Sequence, residues 1–350
     1  MPMPDLQPDP APPLPAPLLP APPLYAPAFV AALRRGVAGH VHAWGLSPRT
    51  QVQLLNLSEN ATFLAEDPEA AAPLVIRVYR PGHRRAAEIA SELDWIAALR
   101  AARVLETPAP VPTRDGDRAA VLTLSGRTIH AAAFAHMAGA EPQADAALAS
   151  RFRQLGAISA RLHDHARNWP LPDGFVRPVW DFDTMVGRAP LWGDWRAAPG
   201  LTAAGRTVLE RLCAALRQRL AALGRGQAQC GLIHADLRLA NLLVDGDRIG
   251  VIDFDDCGFG WFAYDFAAAI SFIEHEPIVP ELQDAWLQGY ARHGRLPPGT
   301  EAALPALVML RRLLLTAWIA SHADAPTAQA LGAGYTAGTV ELAERFLAAG

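Results

Sequence analysis

A carboxylate, an amide and a second carboxylate stand at fixed spacings within one short stretch of this 350-residue chain. Asp236 is followed five residues later by Asn241, and Asp253 comes twelve residues after that. The apolar runs 241–244 and 249–252 flank a turn rich in Asp and Gly, which predicts a β-hairpin. A loop followed by a hairpin is expected to bring the three polar side chains close together at one opening of the fold.

These three side chains match the needs of phosphoryl transfer to an alcohol. Such a reaction requires a group that accepts the hydroxyl proton, and it requires oxygen ligands for the Mg²⁺ bound to the phosphates. Asp236 suits the first task. Asn241 and Asp253 suit the second, because Mg²⁺ selects carboxylate and amide oxygens. A hairpin with solvated turn aspartates is the alternative, and the ordered His234, Asp, Asn and Asp pattern weighs against it.

The segment 234–241 reads H-A-D-L-R-L-A-N, and D-F-D follows at 253–255. These motifs resemble the catalytic and metal-binding loops of the aminoglycoside phosphotransferase and choline kinase-like family, which are small-molecule relatives of protein kinases. The resemblance implies an ATP-dependent phosphotransferase with a hydroxyl acceptor, and ATP and Mg²⁺ as cofactors. It places Arg238 near the nucleotide, where protein kinases carry a lysine. The second aspartate of D-F-D replaces the glycine of a protein-kinase D-F-G, which favours the small-molecule branch.

The chain before these motifs has the pattern of a sheet with one helix, and the remainder is mainly helical. We therefore predict an α+β, protein-kinase-like fold of two lobes, with a five-stranded antiparallel sheet in the first. We place the N-terminal nucleotide-binding lobe at residues 25–138 and the C-terminal catalytic and acceptor-binding lobe at residues 139–350. The predicted strands are 50–57, 61–64, 74–79, 119–124 and 129–134, and the predicted helices of this lobe are a short one within 26–45 and one at 86–104.

Two residues of the predicted N-terminal lobe match nucleotide-binding positions of kinases. A basic residue on the third strand holds the α- and β-phosphates of the nucleotide, and a helix glutamate orients it. Arg77 and Glu92 stand at these places. Arginine can pair with phosphate, but its planar fork differs from the geometry of lysine. Since all 31 basic residues of the chain are arginine, an arginine at a lysine position has less meaning here than usual.

The loop after the first strand would cover the phosphates, and the segment after the last strand would form the hinge. That loop contains no glycine, so Ser58 and Asn60 are candidate phosphate contacts through backbone N–H groups and a short side chain. A plain strand-connecting turn is an equal alternative. The hinge, 135–139, would bind adenine through its backbone, which makes Ala135 and Met137 candidates whatever their side chains.

Composition excludes several classes of partner. A net charge of -4 provides no global positive field for nucleic acid or an anionic membrane, and no uninterrupted apolar run reaches the ~18 residues of a transmembrane helix. Three cysteines without metal or disulfide spacing are typical of the reducing cytoplasm. Residues 1–24 contain 11 prolines and no basic residue, which predicts a disordered leader. Nothing in the sequence fixes the oligomeric state.

The helices after residue 264 would form the wall of the acceptor site. Their mild acidic excess favours a small amino alcohol or a hydroxy-amino acid such as homoserine over a polycationic, aminoglycoside-like compound. A Ser/Thr protein kinase and a non-catalytic nucleotide-binding pseudokinase are the alternative functions. Surface charges and core aromatics explain the candidate acceptor residues equally well. These candidates are Glu274, His275 and Glu276 after the metal loop, and Arg311, Trp318 and His322 on one helix face, where the arginine could hold a carboxylate.

Overall fold

The computed structural model describes residues 26–124, 126–142 and 147–349. It confirms an α+β, protein-kinase-like fold with a sheet-rich N-terminal lobe and a mainly helical C-terminal lobe. The proline-rich segment 1–24 lies outside the described residues. The lobe boundaries at 25–138 and 139–350 stay a prediction.

The N-terminal lobe is an antiparallel sheet flanked by helices. Its elements are α1 (Pro27–His40), β1 (Gln51–Leu57), β2 (Ala61–Glu66), β3 (Leu74–Val78), α2 (Ala86–Ala101), β4 (Pro110–Val111), β5 (Ala120–Leu124) and β6 (Arg127–Ala135). The strand order is β1–β2–β3–β6–β4, and β5 also pairs with β6. All five predicted strands are present, and the two-residue β4 makes a sixth.

Alternation along the strands sets which side chains enter the core and which face the cleft. Phe63 and Ile76 are cross-strand partners and are both fully buried, and Leu33 and Val37 of α1 belong to the same core cluster. Burying a side chain of this size stabilises a fold by about 1.5–3 kcal/mol. Because successive side chains of a strand point to opposite faces, Arg77 faces away from this cluster.

The C-terminal lobe combines helices with two small sheets. Its elements are α3 (Leu148–Asn168), β7 (Val179–Trp180), α4 (Phe182–Met185), α5 (Ala203–Leu223), β8 (Cys230–Ile233), β9 (Leu242–Asp245), β10 (Arg248–Val251), β11 (Gly258–Trp261), α6 (Tyr264–Ala269), α7 (Val279–Tyr290), α8 (Thr300–Ser321) and α9 (Pro326–Ala348). The predicted hairpin is β9–β10. Strand β11 pairs antiparallel with β8 and parallel with β7, so the segments before and after the hairpin lie side by side.

Helix α8 is a core helix of this lobe. By length and composition it could cross a membrane, with a mean hydropathy of 1.6 over its most apolar 18 residues, but 72% of that window is buried inside the protein. Its two arginines, Arg311 and Arg312, are buried and pair with carboxylates. The helix is apolar because it packs on other helices, among them α6 and α9.

Helices α3 and α7 are in direct backbone contact at two glycines. A Cβ at Gly156 of α3 would overlap the carbonyl of Trp286, and a Cβ at Gly289 of α7 would overlap the carbonyl of Arg153. Only glycine permits such a close approach of two helix backbones. The same two helices carry His163 and Tyr290, whose side chains meet at 3.1 Å.

Candidate active site

Asp236 lies in the loop between β8 and β9, and three side chains hold its carboxylate. Arg311 Nη2 donates to Oδ1 over 2.5 Å, while Asn241 Nδ2 and Arg238 Nε donate to Oδ2 over 2.6 and 3.2 Å. The Asp236 side chain is 14% exposed, so a substrate can still reach it. Hydrogen bonds from two cations and an amide fix the direction in which this carboxylate points.

Arg311 of α8 has a different partner from the one that the sequence led us to expect. We expected it to hold a carboxylate of the acceptor, whereas its guanidinium holds Asp236. It is 2% exposed, and it also donates to Ser271 Oγ over 3.0 Å and to the Ala235 carbonyl over 3.3 Å. These contacts make Arg311 a positioning residue of the catalytic loop.

His234 joins the catalytic loop to the metal loop. Its Nδ1 accepts a hydrogen bond from the backbone N–H of Asp236 at 3.2 Å, so Nε2 carries the proton and donates to the Ile252 carbonyl at 3.1 Å. The ring is fully buried. Burial lowers the pKa of His234, which favours the neutral imidazole that this pattern needs.

Asp265 of α6 anchors the catalytic loop from below, and sequence reasoning had given it no role. Its carboxylate accepts from the backbone N–H groups of His234 and Ala235 over 3.2 and 2.7 Å, and from His163 Nε2 over 3.0 Å. Ala235 has a left-handed backbone with φ 66°, which costs energy in a residue other than glycine. Only the resemblance of the segment around Tyr264-Asp265 to the family could have indicated this role.

Asp253 and Asn241 offer ligands that fit a divalent cation. The backbone N–H of Ile252 donates to the Asn241 carbonyl over 2.9 Å, so the catalytic loop and the metal loop are hydrogen-bonded to each other. Asn241 Nδ2 is bound to Asp236, which leaves its Oδ1 for a ligand. The side chain of Asp253, whose φ is 62°, is 40% exposed and lines the same cavity as Asn241. A carboxylate and an amide oxygen on one cavity wall form the hard oxygen set that Mg²⁺ prefers.

Arg77 and Glu92 are paired in the N-terminal lobe. Arg77 Nη1 lies 2.8 Å from Glu92 Oε1 and 3.3 Å from Asp253 Oδ1. Tyr79 donates its hydroxyl to the other oxygen of Glu92 over 3.1 Å. Burial raises the pKa of Glu92, and the neighbouring guanidinium opposes that rise. The arginine therefore sits between the helix glutamate and the metal loop, as the lysine of a kinase would.

We expect Arg77→Met to raise the KM for ATP by about 10- to 100-fold, the typical effect of losing a hydrogen bond to a charged group. Arg77→Lys should stay within ~10-fold of the wild type in kcat/KM for ATP, because an ammonium can replace one guanidinium contact. Steady-state ATP titrations would test both, with Arg188→Met as the matched control because Arg188 is exposed and pairs with Asp183 on the surface. An unchanged KM in Arg77→Met would remove Arg77 from the nucleotide site.

A cavity of about 560 Å³ lies between the lobes beside the hinge. Asn60 Oδ1 accepts from the backbone N–H of Arg80 over 3.1 Å, so its side chain connects the loop after β1 to the segment after β3. Glu92 pairs with Arg77 but does not line this cavity. The other residues proposed to contact nucleotide all line the cavity: Ser58, Asn60, Arg77, Ala135, Met137 and Arg238. Their individual roles stay predictions.

A smaller cavity of about 90 Å³ adjoins the first one. Glu59, at the tip of the loop after β1, lines it; Trp318 Nε1 of α8 donates to Glu59 over 2.7 Å, and Nε2 of His322, directly after α8, lies 3.3 Å from Glu59. The other carboxylates on its wall are Asp236, Asp253, Asp255 and Asp256, and its apolar lining is Trp192, Phe272, Leu315 and Trp318. Ser58, Asn60, Arg238, Asp253 and Thr327 line both cavities.

The acidic residues after the metal loop do not reach this cavity. Glu274 is buried and pairs with Arg312 Nη1 at 2.8 Å. His275 contacts Glu276 at 3.2 Å, with about half of each side chain exposed. None of the three is among the described residues that line the smaller cavity, which favours the alternative that they are surface or ion-paired residues.

Comparison with known proteins identifies the family. The model of the family described as phosphotransferase enzyme family matches residues 50–304. The chain belongs to this family. It is therefore a kinase-type phosphotransferase whose acceptor is an alcohol group of a small molecule, which agrees with the resemblance seen in the catalytic and metal-binding motifs.

Several kinases with known structures or activities resemble the chain over most or much of its length. A microcompartment-associated aminopropanol kinase is 43% identical, with a TM-score of 0.83 over 89% of this chain and 97% of that one. Amicoumacin kinase in complex with AMP-PNP, Ca²⁺ and Ami is 21% identical, with a TM-score of 0.73 over 88% and 93% of the two chains. A homoserine kinase of Nitrobacter winogradskyi is 31% identical over 60% of this chain and 61% of its own.

Proposed function

We propose that this phosphotransferase transfers the γ-phosphoryl group of Mg-ATP to the hydroxyl of a small amino alcohol. The observation that carries the proposal is the meeting of two cavities at the catalytic loop. The larger is lined by Arg77, Asn241 and Asp253, and the smaller by Asp236. Since Arg238 and Asp253 line both, a phosphoryl donor in one and a hydroxyl in the other would meet beside Asp236.

Each polar side chain of the site would have a separate role in the reaction. Asp236 orients the hydroxyl and accepts its proton as the new O–P bond forms. Arg238, Arg311 and Asn241 hold that carboxylate in place, and Arg77 holds the phosphates. Mg²⁺, bound by Asn241 and Asp253, would neutralise the charge on the phosphates. A weakly basic aspartate is sufficient because phosphoryl transfer has a loose transition state, in which positioning contributes more than proton abstraction.

The smaller cavity favours an amino alcohol among the acceptors that the sequence left open. Its volume of about 90 Å³ is far smaller than the about 560 Å³ of the adjoining cavity, which favours a small acceptor over a multi-ring aminoglycoside. Five carboxylates on its wall favour a cation. Homoserine would bring its own carboxylate among them, and Arg311 is already bound to Asp236. The 43% identity to an aminopropanol kinase supports the same acceptor class.

We also propose that the protein works in the cytoplasm without nucleic acid or membrane as a partner. The three cysteines are free thiols, as expected in a reducing compartment. A small acceptor cavity bounded by Glu59 leaves little room for a protein substrate. This favours a small-molecule kinase over a Ser/Thr protein kinase, and the complete Asp236, Asn241 and Asp253 set favours catalysis over a pseudokinase.

A panel of acceptors would test the proposal. ATP consumption by the full chain would be measured with aminopropanol, ethanolamine, homoserine, an aminoglycoside and a generic protein substrate, each against a no-acceptor blank. We expect kcat on the order of 1–100 s⁻¹ with one of the amino alcohols, loss of activity in EDTA, and its recovery with excess Mg²⁺. Turnover of homoserine or the protein alone, or activity that survives EDTA, would contradict the proposal.

A further inference from the structure

We propose that Asp256 is the residue that binds the ammonium group of the acceptor and so determines specificity for amino alcohols. This inference rests on the proposed function, because it assigns one end of the acceptor while Asp236 receives the other. Asp256 follows the D-F-D motif directly and lines the smaller cavity together with Asp236. A short acceptor in that cavity would therefore contact both carboxylates.

The carboxylate of Asp256 has fewer partners than the others around it. Among the described side chains, only Arg84 donates to it, from Nη2 to Oδ1 over 2.7 Å, and Arg84 Nε also donates to Asp255 Oδ1 over 3.3 Å. Among the described residues, none forms a hydrogen bond with Asp256 Oδ2. By contrast, Asp236 receives three side-chain donors, and Glu59 contacts two histidines and a tryptophan.

Burial makes this shortage of partners costly. The side chain of Asp256 is 14% exposed, and burial raises its pKa to about 8, with the nearby carboxylates of Glu59, Asp236 and Asp255 adding to the rise. A cation placed against the free oxygen would stabilise the ionised form. A neutral side chain at this position would make the protein more stable than Asp256 does. A destabilising acid in a cleft is typical of a functional residue.

The remaining wall of the cavity suits the rest of a small amino alcohol. Trp192, Phe272, Leu315 and Trp318 provide an apolar surface for a short carbon chain, and the face of an indole ring attracts an ammonium. Because Asp236 and Asp256 line this same small cavity, the cavity favours a short acceptor that carries a hydroxyl at one end and an amine at the other.

The test compares two acceptors of nearly equal size that differ in the amine. Wild type and Asp256→Asn would be assayed with 1-amino-2-propanol and with 1,2-propanediol, with saturating Mg-ATP. We expect Asp256→Asn to lower kcat/KM for the amino alcohol by about 10- to 100-fold, mostly through KM, since a charge-assisted contact is lost. For the diol we expect a change of no more than ~3-fold, because an amide can hydrogen-bond a hydroxyl equally well.

Two controls separate specificity from folding. Asp247→Asn removes a carboxylate from the exposed β9–β10 turn and should leave the preference for the amino alcohol unchanged. Thermal melts should show Asp256→Asn at least as stable as the wild type, because a neutral amide suits the buried position and Arg84 keeps its contact with Asp255.

The possible results discriminate between the two proposals. A selective loss with the amino alcohol supports the assignment of Asp256. An equal loss with both acceptors, or an unchanged preference, would overturn it while the proposed function stands. If the wild type turned over neither compound nor any other amino alcohol of the panel, the proposed function would fail, and the role of Asp256 with it.

Discussion

Replacing Asp236 by asparagine should lower kcat by about 10²- to 10⁴-fold, the range expected when a proton acceptor is removed. Asparagine preserves the shape of the side chain but takes no proton, and it gives Arg238 and Arg311 a neutral partner. The KM for ATP should change little, because the proposed nucleotide contacts, Arg77 and the hinge, are unaltered in this variant. Steady-state kinetics with the best acceptor of the panel would measure both parameters.

Loss of a buried charge partner must be distinguished from loss of the chemical step. Arg311 retains its contacts with Ser271 and the Ala235 carbonyl in this variant, so the protein should still fold and bind ATP. Equilibrium binding of a non-hydrolysable ATP analogue would verify this, with Asp247→Asn as the matched surface control. A variant that binds the analogue normally and retains more than half of the wild-type kcat would show that Asp236 is not the proton acceptor.

Asp265→Ala should destabilise the protein by about 3–5 kcal/mol, the usual cost of removing one partner from a buried charged network. The side chain is fully buried, and its loss leaves the N–H groups of His234 and Ala235 and the His163 ring without an acceptor. At about 2–4 °C per kcal/mol for a domain of ~150–250 residues, Tm should fall by roughly 6–20 °C.

Activity of the Asp265→Ala variant should fall even where the protein remains folded, because the left-handed Ala235 is no longer held beside Asp236. Differential scanning calorimetry and kinetics well below Tm would separate the two effects, with Asp247→Ala as the control. A Tm within 2 °C of the wild type would show that the described hydrogen bonds do not anchor the loop.

Features that depend on local sequence were predicted well. The β9–β10 hairpin follows from two apolar runs about an Asp-Gly-Asp turn, and β3 and α2 follow from their periodicity. The resemblance to kinases pairs Arg77 with Glu92, and the two side chains lie 2.8 Å apart. Family motifs then supplied the expected lobe arrangement. The two-residue β4 was missed because it is too short to leave a pattern.

Features that depend on long-range contacts were not predicted. Asp265 lies 30 residues from Ala235, and Arg311 lies 75 residues from Asp236, so neither partner can be inferred from spacing. Arg311 was a candidate for holding an acceptor carboxylate because it shares a helix face with Trp318 and His322, but the carboxylate that it holds is that of Asp236. Glu274 was also a candidate acceptor residue, and its carboxylate pairs with Arg312.

The close contact of α3 and α7 affects the position of the catalytic loop, because a series of hydrogen bonds connects these helices to it. Gly156 and Gly289 set the separation of the two helices, and His163 bridges from Tyr290 to Asp265. A single methyl group added at either glycine would wedge the helices apart and carry the imidazole away from the carboxylate. The position of the catalytic loop therefore depends on two glycines, which have no side-chain functional group.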